Sequence, residues 1–348
     1  MSVWASAEFD DHEQVCFFTD RATGLRCIVA IHSTALGPAV GGTRFKAYPD
    51  GQGALDDALR LSRAMSYKTA LAGLPVGGGK AVIIADPAQG KSREVLHAYG
   101  RFVDRIGQTF ATGEDVGMSV ADIETVAEVT PFVGGTSEGA GDPSVHTAVG
   151  MLHGLHAVAE ARFGRADLVG LRVAIQGLGA VGWGVAKRLH AAGALLTVAD
   201  IRPEPVERAV ALFGAEVMAP EEVHKARADI FAPCALGGGL NGRTVGEIRA
   251  AAVAGAANNQ LADPSAGLEL AGRGILFAPD YVINAGGVIS GMEATTRMPH
   301  RAHIEFPPLE DSLTAIRGRL LSIFERAARE GRTPEATAEK MARAIIGR

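Results

Sequence analysis

The chain has 348 residues, 47% of them apolar, 21% charged and 5% aromatic, with 44 glycines; that composition fits a folded α/β protein with two cores and excludes a disordered or fibrous one. A net charge of −5 without a basic tract excludes a nucleic-acid partner, and no uncharged apolar run reaches the roughly 18 residues needed to span a membrane. Cys16, Cys27 and Cys234 have neither metal-site nor disulfide spacing, and Glu8, Asp10, Asp11 and Glu13 are not those of a signal peptide, so a reducing, cytoplasmic setting is expected.

Two apolar runs at 15–18 and 25–31 flank Asp20-Arg21-Ala22-Thr23-Gly24 and predict a β-hairpin. Residues 36–45, with Gly37, Gly41 and Gly42, are glycine-dense without periodicity: an ordinary loop, or a wall where backbone amides approach a ligand. An amphipathic helix is predicted over 54–71. Leu55, Ala58, Leu59 and Met65 share one face, Asp56, Asp57, Arg60 and Arg63 lie opposite, and Lys68 is in the last turn.

Lys80 leaves Gly77-Gly78-Gly79, which reads as a sharp turn into a buried β-branched strand over 81–84. A lysine between apolar walls and near a second cation gives up its proton more readily and can serve as a general base; the bland alternative is a pair of surface lysines at element ends. The glycines do not make a triphosphate-binding loop, because position 74 is Leu where Gly is required and position 81 is Ala where Ser or Thr is required.

A further helix is predicted over 94–106. Glu114-Asp115 then follows a short apolar run, either as a solvated turn or cap, or with one carboxylate handling protons beside the lysines. Residues 134–143 are the candidate hinge. Beyond a helix over 147–163, a strand at 171–176 runs directly into Gly177-Leu178-Gly179-Ala180-Val181-Gly182 and a helix, and the next strand ends in Asp200. These glycines allow a tight turn, close approach of a pyrophosphate and close helix packing, while Asp200 can accept from a ribose 2′-hydroxyl. Its carboxylate repels a 2′-phosphate and favours NAD over NADP, with Arg202 the reservation. Three more apolar strands end in small or amide residues, Cys234 reads as a small buried hydrophobe, and two helices close the chain.

With these motifs on the page, the sequence resembles the glutamate/leucine/phenylalanine/valine dehydrogenase family over nearly its whole length, and within it the leucine and phenylalanine enzymes. The pieces that carry the likeness are Gly37-Pro38-Ala39-Val40-Gly41-Gly42-Thr43-Arg44, the two-lysine stretch, Glu114-Asp115-Val116-Gly117, Ala232-Pro233-Cys234-Ala235-Leu236-Gly237, Ala257-Asn258-Asn259-Gln260 and Asn284-Ala285-Gly286-Gly287-Val288. The resemblance implies an α/β fold of two domains with a cleft between them. The first is a substrate-binding and oligomerisation domain over 1–135, on which a helix at about 330–348 packs back; the second is a Rossmann NAD-binding domain over 144–329.

It further implies a homo-oligomer that converts an L-amino acid reversibly to its 2-oxo acid and ammonia with NAD. By that likeness Lys68 binds the substrate carboxylate, Lys80 activates water and Asp115 exchanges protons with the amino group. Arg44, Thr147, Ala235, Asn258 and Asn259 line the cofactor cleft together with the 177–182 motif. The side-chain pocket maps to Val40, Gly41, Met65, Gly113, Val288 and Gly291. Glutamate dehydrogenases carry a lysine where this chain has Val40, and burying an unpaired carboxylate is costly, so a branched-chain or aromatic amino acid is expected. Gly113 and Gly291 leave room for bulk. Residues 291–303 depart from the family pattern, and His300 and His303, beside Pro299 and lacking a third ligand, do not make a metal site. Two rival readings are a catalytically silent NAD-binding amino-acid sensor, which would not need both lysines and Asp115, and a 2-hydroxy-acid dehydrogenase, which would want a histidine–carboxylate pair.

Overall fold

The computed structural model describes residues 3–135, 142–235, 237–295 and 304–348. The chain forms two compact units, one of Met1–Gly141, Ser290–Pro307 and Ala342–Arg348, the other of Asp142–Ile289 and Pro308–Met341. Most of the candidate hinge, including residues 136–141, lies outside the described residues, as do 296–303 with both histidines.

The first unit is built on strands β1 (Gln14–Asp20), β2 (Leu25–Ser33), β3 (Ala39–Lys46), β4 (Gly77–Ile84) and β5 (Phe110–Gly113), in the sheet order β1-β2-β4-β3-β5. β1 and β2 form the expected hairpin, closed by Gly24 in the left-handed region at φ 74°. β2 runs antiparallel to β4, and β3 lies parallel to both β4 and β5.

Two expectations fail here for one reason. Residues 77–79, expected to turn, and 36–45, expected to lack regular structure, lie largely within β4 and β3. None of Gly41, Gly42, Gly77, Gly78 or Gly79 needs a positive φ. They are required for close approach instead: a Cβ on Gly77 would enter the carbonyl oxygen of Ser33, one on Gly78 the backbone nitrogen of Ser66, and one on Gly41 the carbonyl oxygen of Gly79.

The helix Gly51–Ala72 that supplies Ser66 starts where Asp50 accepts from the Gly53 amide and ends at Gly73 in the left-handed conformation. It buries Ala54, Leu55, Ala58 and Leu59 against Ile28, Ala30 and Val82 of the sheet. The opposite face is covered by the helix Arg93–Ile106, whose Tyr99 and Phe102 pack with Phe45, Ile83 and Phe110. Each such large side chain contributes about 1.5–3 kcal/mol. Residues from the far end of the chain complete this unit: Arg343 donates to Asp10 at 3.1 Å, and Arg348 donates to the carbonyls of Asp10 and His32, each at 2.7 Å. Burial pushes the His32 imidazole down to about 3, so it is neutral in the fold.

The second unit holds an all-parallel sheet of β6 (Arg172–Gln176), β7 (Leu195–Ala199), β8 (Glu216–Val217), β9 (Ile230–Pro233), β10 (Ala252–Val253) and β11 (Leu276–Phe277). The order is β11-β10-β9-β6-β7-β8. Counted within this unit it is the doubly wound 3-2-1-4-5-6 arrangement, with its reversal between β6 and β9. The helix Leu309–Glu330 lies on the helix Pro143–Phe163, where Gly150 and Gly154 leave space for Ile316, Leu320 and Ile283.

Two glycines separate close approach from mere flexibility. Gly78→Ala is expected to lower stability by about 3 kcal/mol or more, because the obstacle is backbone. Gly318→Ala, in an exposed helix interior with nothing within 4 Å of its added methyl, is expected to raise it by about 0.5–1 kcal/mol. Thermal unfolding of the two variants checks both signs.

Candidate active site

β4 puts Lys80 in mid-strand rather than at the mouth of one, and its residue is only 7% exposed. With Gly77, Gly78 and Gly79 ahead of it, backbone from β2, β3 and the helix Gly51–Ala72 closes in, and Lys80 has little water. Among the described residues its charged partner at contact distance is Asp115, whose Oδ2 accepts from Nζ at 2.8 Å. Asp115 follows β5, where a Cβ on Gly42 would run into the Glu114 carbonyl. Arg44, the next residue but one along β3, donates its Nε to the same Asp115 oxygen at 3.2 Å and its Nη1 to Asp57 at 2.9 Å.

Burial drives the Lys80 ammonium below the usual amine range, with Asp115 opposing and Arg44 assisting. Of the two causes expected from the sequence, apolar walls and a nearby cation, desolvation is the larger. Burial raises the Asp115 carboxyl, but Lys80 and Arg44 outweigh it and hold the group below the ordinary carboxylate range. The pair is one proton site with a donor that releases easily and an acceptor that stays ionised.

Lys68 is half-buried on the helix Gly51–Ala72, a turn earlier than the helix end. Ser66 meets Gly78, so Lys68 and Lys80 each lie two residues from the same helix-to-strand contact. Val40 is 3% exposed and sits in register between Gly78 and Ala111. Gly41 beside it is buried, and Met65 and Gly113 are half-buried. Gly291 and Val288 share the helix Gly286–Thr295, and a Cβ on Gly291 would meet open space.

The second cluster is in the other unit. Gly177 ends β6 with φ 95°, and a Cβ there would press on Ala235 just beyond β9, at the point where the sheet order reverses. Gly182 faces back onto the Gly177 carbonyl, which leaves no room for a methyl. Gly179 caps the helix Ala180–Ala191 without any side-chain acceptor, so its first amides are free to receive phosphate oxygens together with those of Ala180 and Val181. Asp200 accepts from the Leu178 amide at 2.6 Å and from Arg202 Nε at 3.1 Å. Beside it a cavity of about 490 Å³ is lined by Ile201, Pro203, Met218, Ala219 and Pro220. Asn258 and Asn259 are exposed beyond β10, and Asn258 Oδ1 accepts from Asn284 at 2.8 Å. Thr147 touches the space over Gly287. These backbone cradles fit a dinucleotide. Arg44, expected among them, belongs to the first unit and has its guanidinium engaged by two carboxylates.

Sequence reasoning missed Asp57 and Tyr48. Asp57 was assigned to the polar face of its helix, yet its side chain is 12% exposed and accepts from Tyr48, Arg44 and Arg60. The available signal was Arg44 itself, a charged residue in a strand buried on both sides.

The family model described as Glu/Leu/Phe/Val dehydrogenase, dimerisation domain, matches residues 12–132, and the one described as Glutamate/Leucine/Phenylalanine/Valine dehydrogenase matches 202–342. The chain belongs to this family. It is an amino acid dehydrogenase. Among its relatives, the valine dehydrogenase of Streptomyces coelicolor is 46% identical over 95% of this chain and 91% of its own. The leucine dehydrogenase of Geobacillus stearothermophilus is 46% identical over 83% of this chain and 80% of its own. The crystal structure of L-tryptophan dehydrogenase from Nostoc punctiforme superposes with a TM-score of 0.85 at 42% identity, covering 97% of this chain and 96% of that one.

In this dehydrogenase the glycine motif can be tested apart from chemistry. Gly182→Ala is expected to weaken dinucleotide binding by at least about tenfold, since the methyl must displace the Gly177 carbonyl. Calorimetric titration of the variant with NADH reads the loss directly.

Proposed function

We propose that the enzyme oxidises a branched-chain or aromatic L-amino acid to its 2-oxo acid and ammonia with NAD, in both directions, and works as a homo-oligomer in the cytoplasm. The observation that carries the mechanism is the buried Lys80–Asp115 pair at 2.8 Å. Bound NAD supplies the hydride acceptor for the substrate Cα–H. Loss of that hydride leaves an iminium carbon, and a water must add to it with loss of a proton. Lys80, whose ammonium form burial disfavours, takes that proton when it stands as the free amine. Asp115, kept ionised by Lys80 and Arg44, exchanges protons with the substrate nitrogen as it becomes ammonia. Lys68 holds the substrate carboxylate and so orients Cα.

NAD rather than NADP is supported by Asp200, whose charge already absorbs Arg202 and would repel a 2′-phosphate. The side-chain class is supported by Val40, which is buried where a cation would be needed to accept glutamate. Open space over Gly291 favours larger apolar side chains. A homo-oligomer is supported by the match to a dimerisation domain. Cys16, Cys27 and Cys234 are all free thiols, which suits a reducing compartment. Among the described residues no helix is long and apolar enough to cross a membrane.

Lys80→Ala is expected to cut kcat by about a thousandfold or more while NADH affinity changes by less than about threefold. Near-normal turnover would refute its role as the base. In a panel of L-amino acids assayed by NAD reduction, aliphatic or aromatic substrates should exceed L-glutamate at least about a hundredfold in kcat/KM.

A further inference from the structure

Beyond Asp115, the carboxylate closest in the network to the proton pair is Asp57, and it touches neither Lys80 nor Asp115. Its carboxylate accepts Tyr48 Oη at 2.7 Å and Arg44 Nη1 at 2.9 Å on Oδ2, and Arg60 Nη2 at 2.8 Å on Oδ1. Arg44 is 16% exposed and is thereby shared between two anions, Asp57 through Nη1 and Asp115 through Nε. A guanidinium held by one carboxylate alone would take it bidentately. With Nη1 turned to Asp57, Arg44 reaches Asp115 through Nε at 3.2 Å, on the same oxygen that takes Lys80 Nζ at 2.8 Å.

We propose that Asp57 is a positioning residue for the proton chemistry: acting through Arg44, it sets how Asp115 is divided between Arg44 and Lys80, and so the pH at which Lys80 becomes a base. The proposal rests on the roles given above to Lys80 and Asp115. The largest charged influences on Lys80 are Asp115 after β5, Arg44 on β3 and Asp57 on the helix Gly51–Ala72, and Lys68 stands on that same helix. Around Asp57 itself stand Arg44, Arg60 and the Tyr48 hydroxyl, and a cavity of about 370 Å³ on that side is lined also by Glu8, Lys46 and Asp56. Glu8 is paired with Arg63, and Lys46 lies over the Tyr48 ring. The alternating chain runs Lys80, Asp115, Arg44, Asp57, Arg60. Deleting one anion from it leaves Arg44 less compensated, which disfavours the Lys80 ammonium.

The test is the acidic limb of kcat/KM against pH for the amino acid, which follows the free enzyme's base; the substrate's own ionisation is common to all variants. Asp57→Asn is expected to move that limb to lower pH by about half to one unit, with the maximal kcat reduced and the KM for NAD unchanged within about twofold. Asp57→Glu should return the limb towards its original position because the charge is restored. Asp56→Asn is the neighbouring control: Asp56 accepts from Ser6 and Gln52 and does not touch Arg44, so its loss should leave the limb in place. Arg60→Gln, a surface change, removes the competing cation on Asp57 and should move the limb the other way, by about 0.3 unit, which keeps a reading if Asp57→Asn does not fold. A limb that stays fixed in Asp57→Asn and Arg60→Gln while kcat or thermal stability falls would show a structural role only and overturn the proposal, as would an equal shift in Asp56→Asn. Failure of the underlying mechanism looks different: Lys80→Ala would then keep its turnover, whatever Asp57 does.

Discussion

The absence of side chains at five neighbouring strand positions is the constraint on which the first unit depends. Gly41, Gly42, Gly77, Gly78 and Gly79 let backbone from β2, β3, the β5 loop and the helix Gly51–Ala72 occupy the volume that Cβ atoms would fill. The outcome is a pocket walled largely by peptide groups in which Lys80 is only 7% exposed. Low local dielectric both strengthens the Lys80–Asp115 attraction and penalises the ammonium. Water would undo both effects by solvating the charge. The chemistry of the amine is thus a property of the packing, and any residue larger than glycine at these positions would separate the elements before it could alter the amine.

The second unit uses glycine differently. Gly177 lies in the left-handed region, and Gly182 is excluded from growing by the carbonyl of Gly177. Here the demand is a tight turn at the carboxyl edge of a parallel sheet, where β6 and β9 part. Asp200 ties this loop down by accepting the Leu178 amide. One carboxylate therefore organises the protein's own loop, and under the proposed function the same group would accept from a ribose.

Much of this was legible from residues alone. The hairpin, both central helices, the parallel unit and its motif follow from periodicity and turn chemistry, since those signals are local. The glycine strands were misread because Gly-Gly-Gly has no periodicity and its lack of side chains looks the same in a turn as in a crowded strand. Only the neighbours distinguish the two cases, and Ser33, Ser66 and Gly79 come from other parts of the chain. Asp57 escaped for a similar reason: its helix face is polar by pattern, and only the fold shows that Arg44 and Tyr48 bury it. Lys80 was singled out from its place after the glycines, but the dominance of burial over charge repulsion needed three-dimensional surroundings.

The way the chain is threaded has a practical corollary. Because Arg343 and Arg348 bind Asp10 and the carbonyls of Asp10 and His32, the opening segment of the polypeptide is finished by its last few residues. A fragment cut after residue 141 would strand Asp10 without its arginines and lack the stretch 290–307 that belongs to the same body. Neither half can be excised with a single pair of scissors. Anyone wishing to isolate the lysine-bearing half must stitch three separated pieces together.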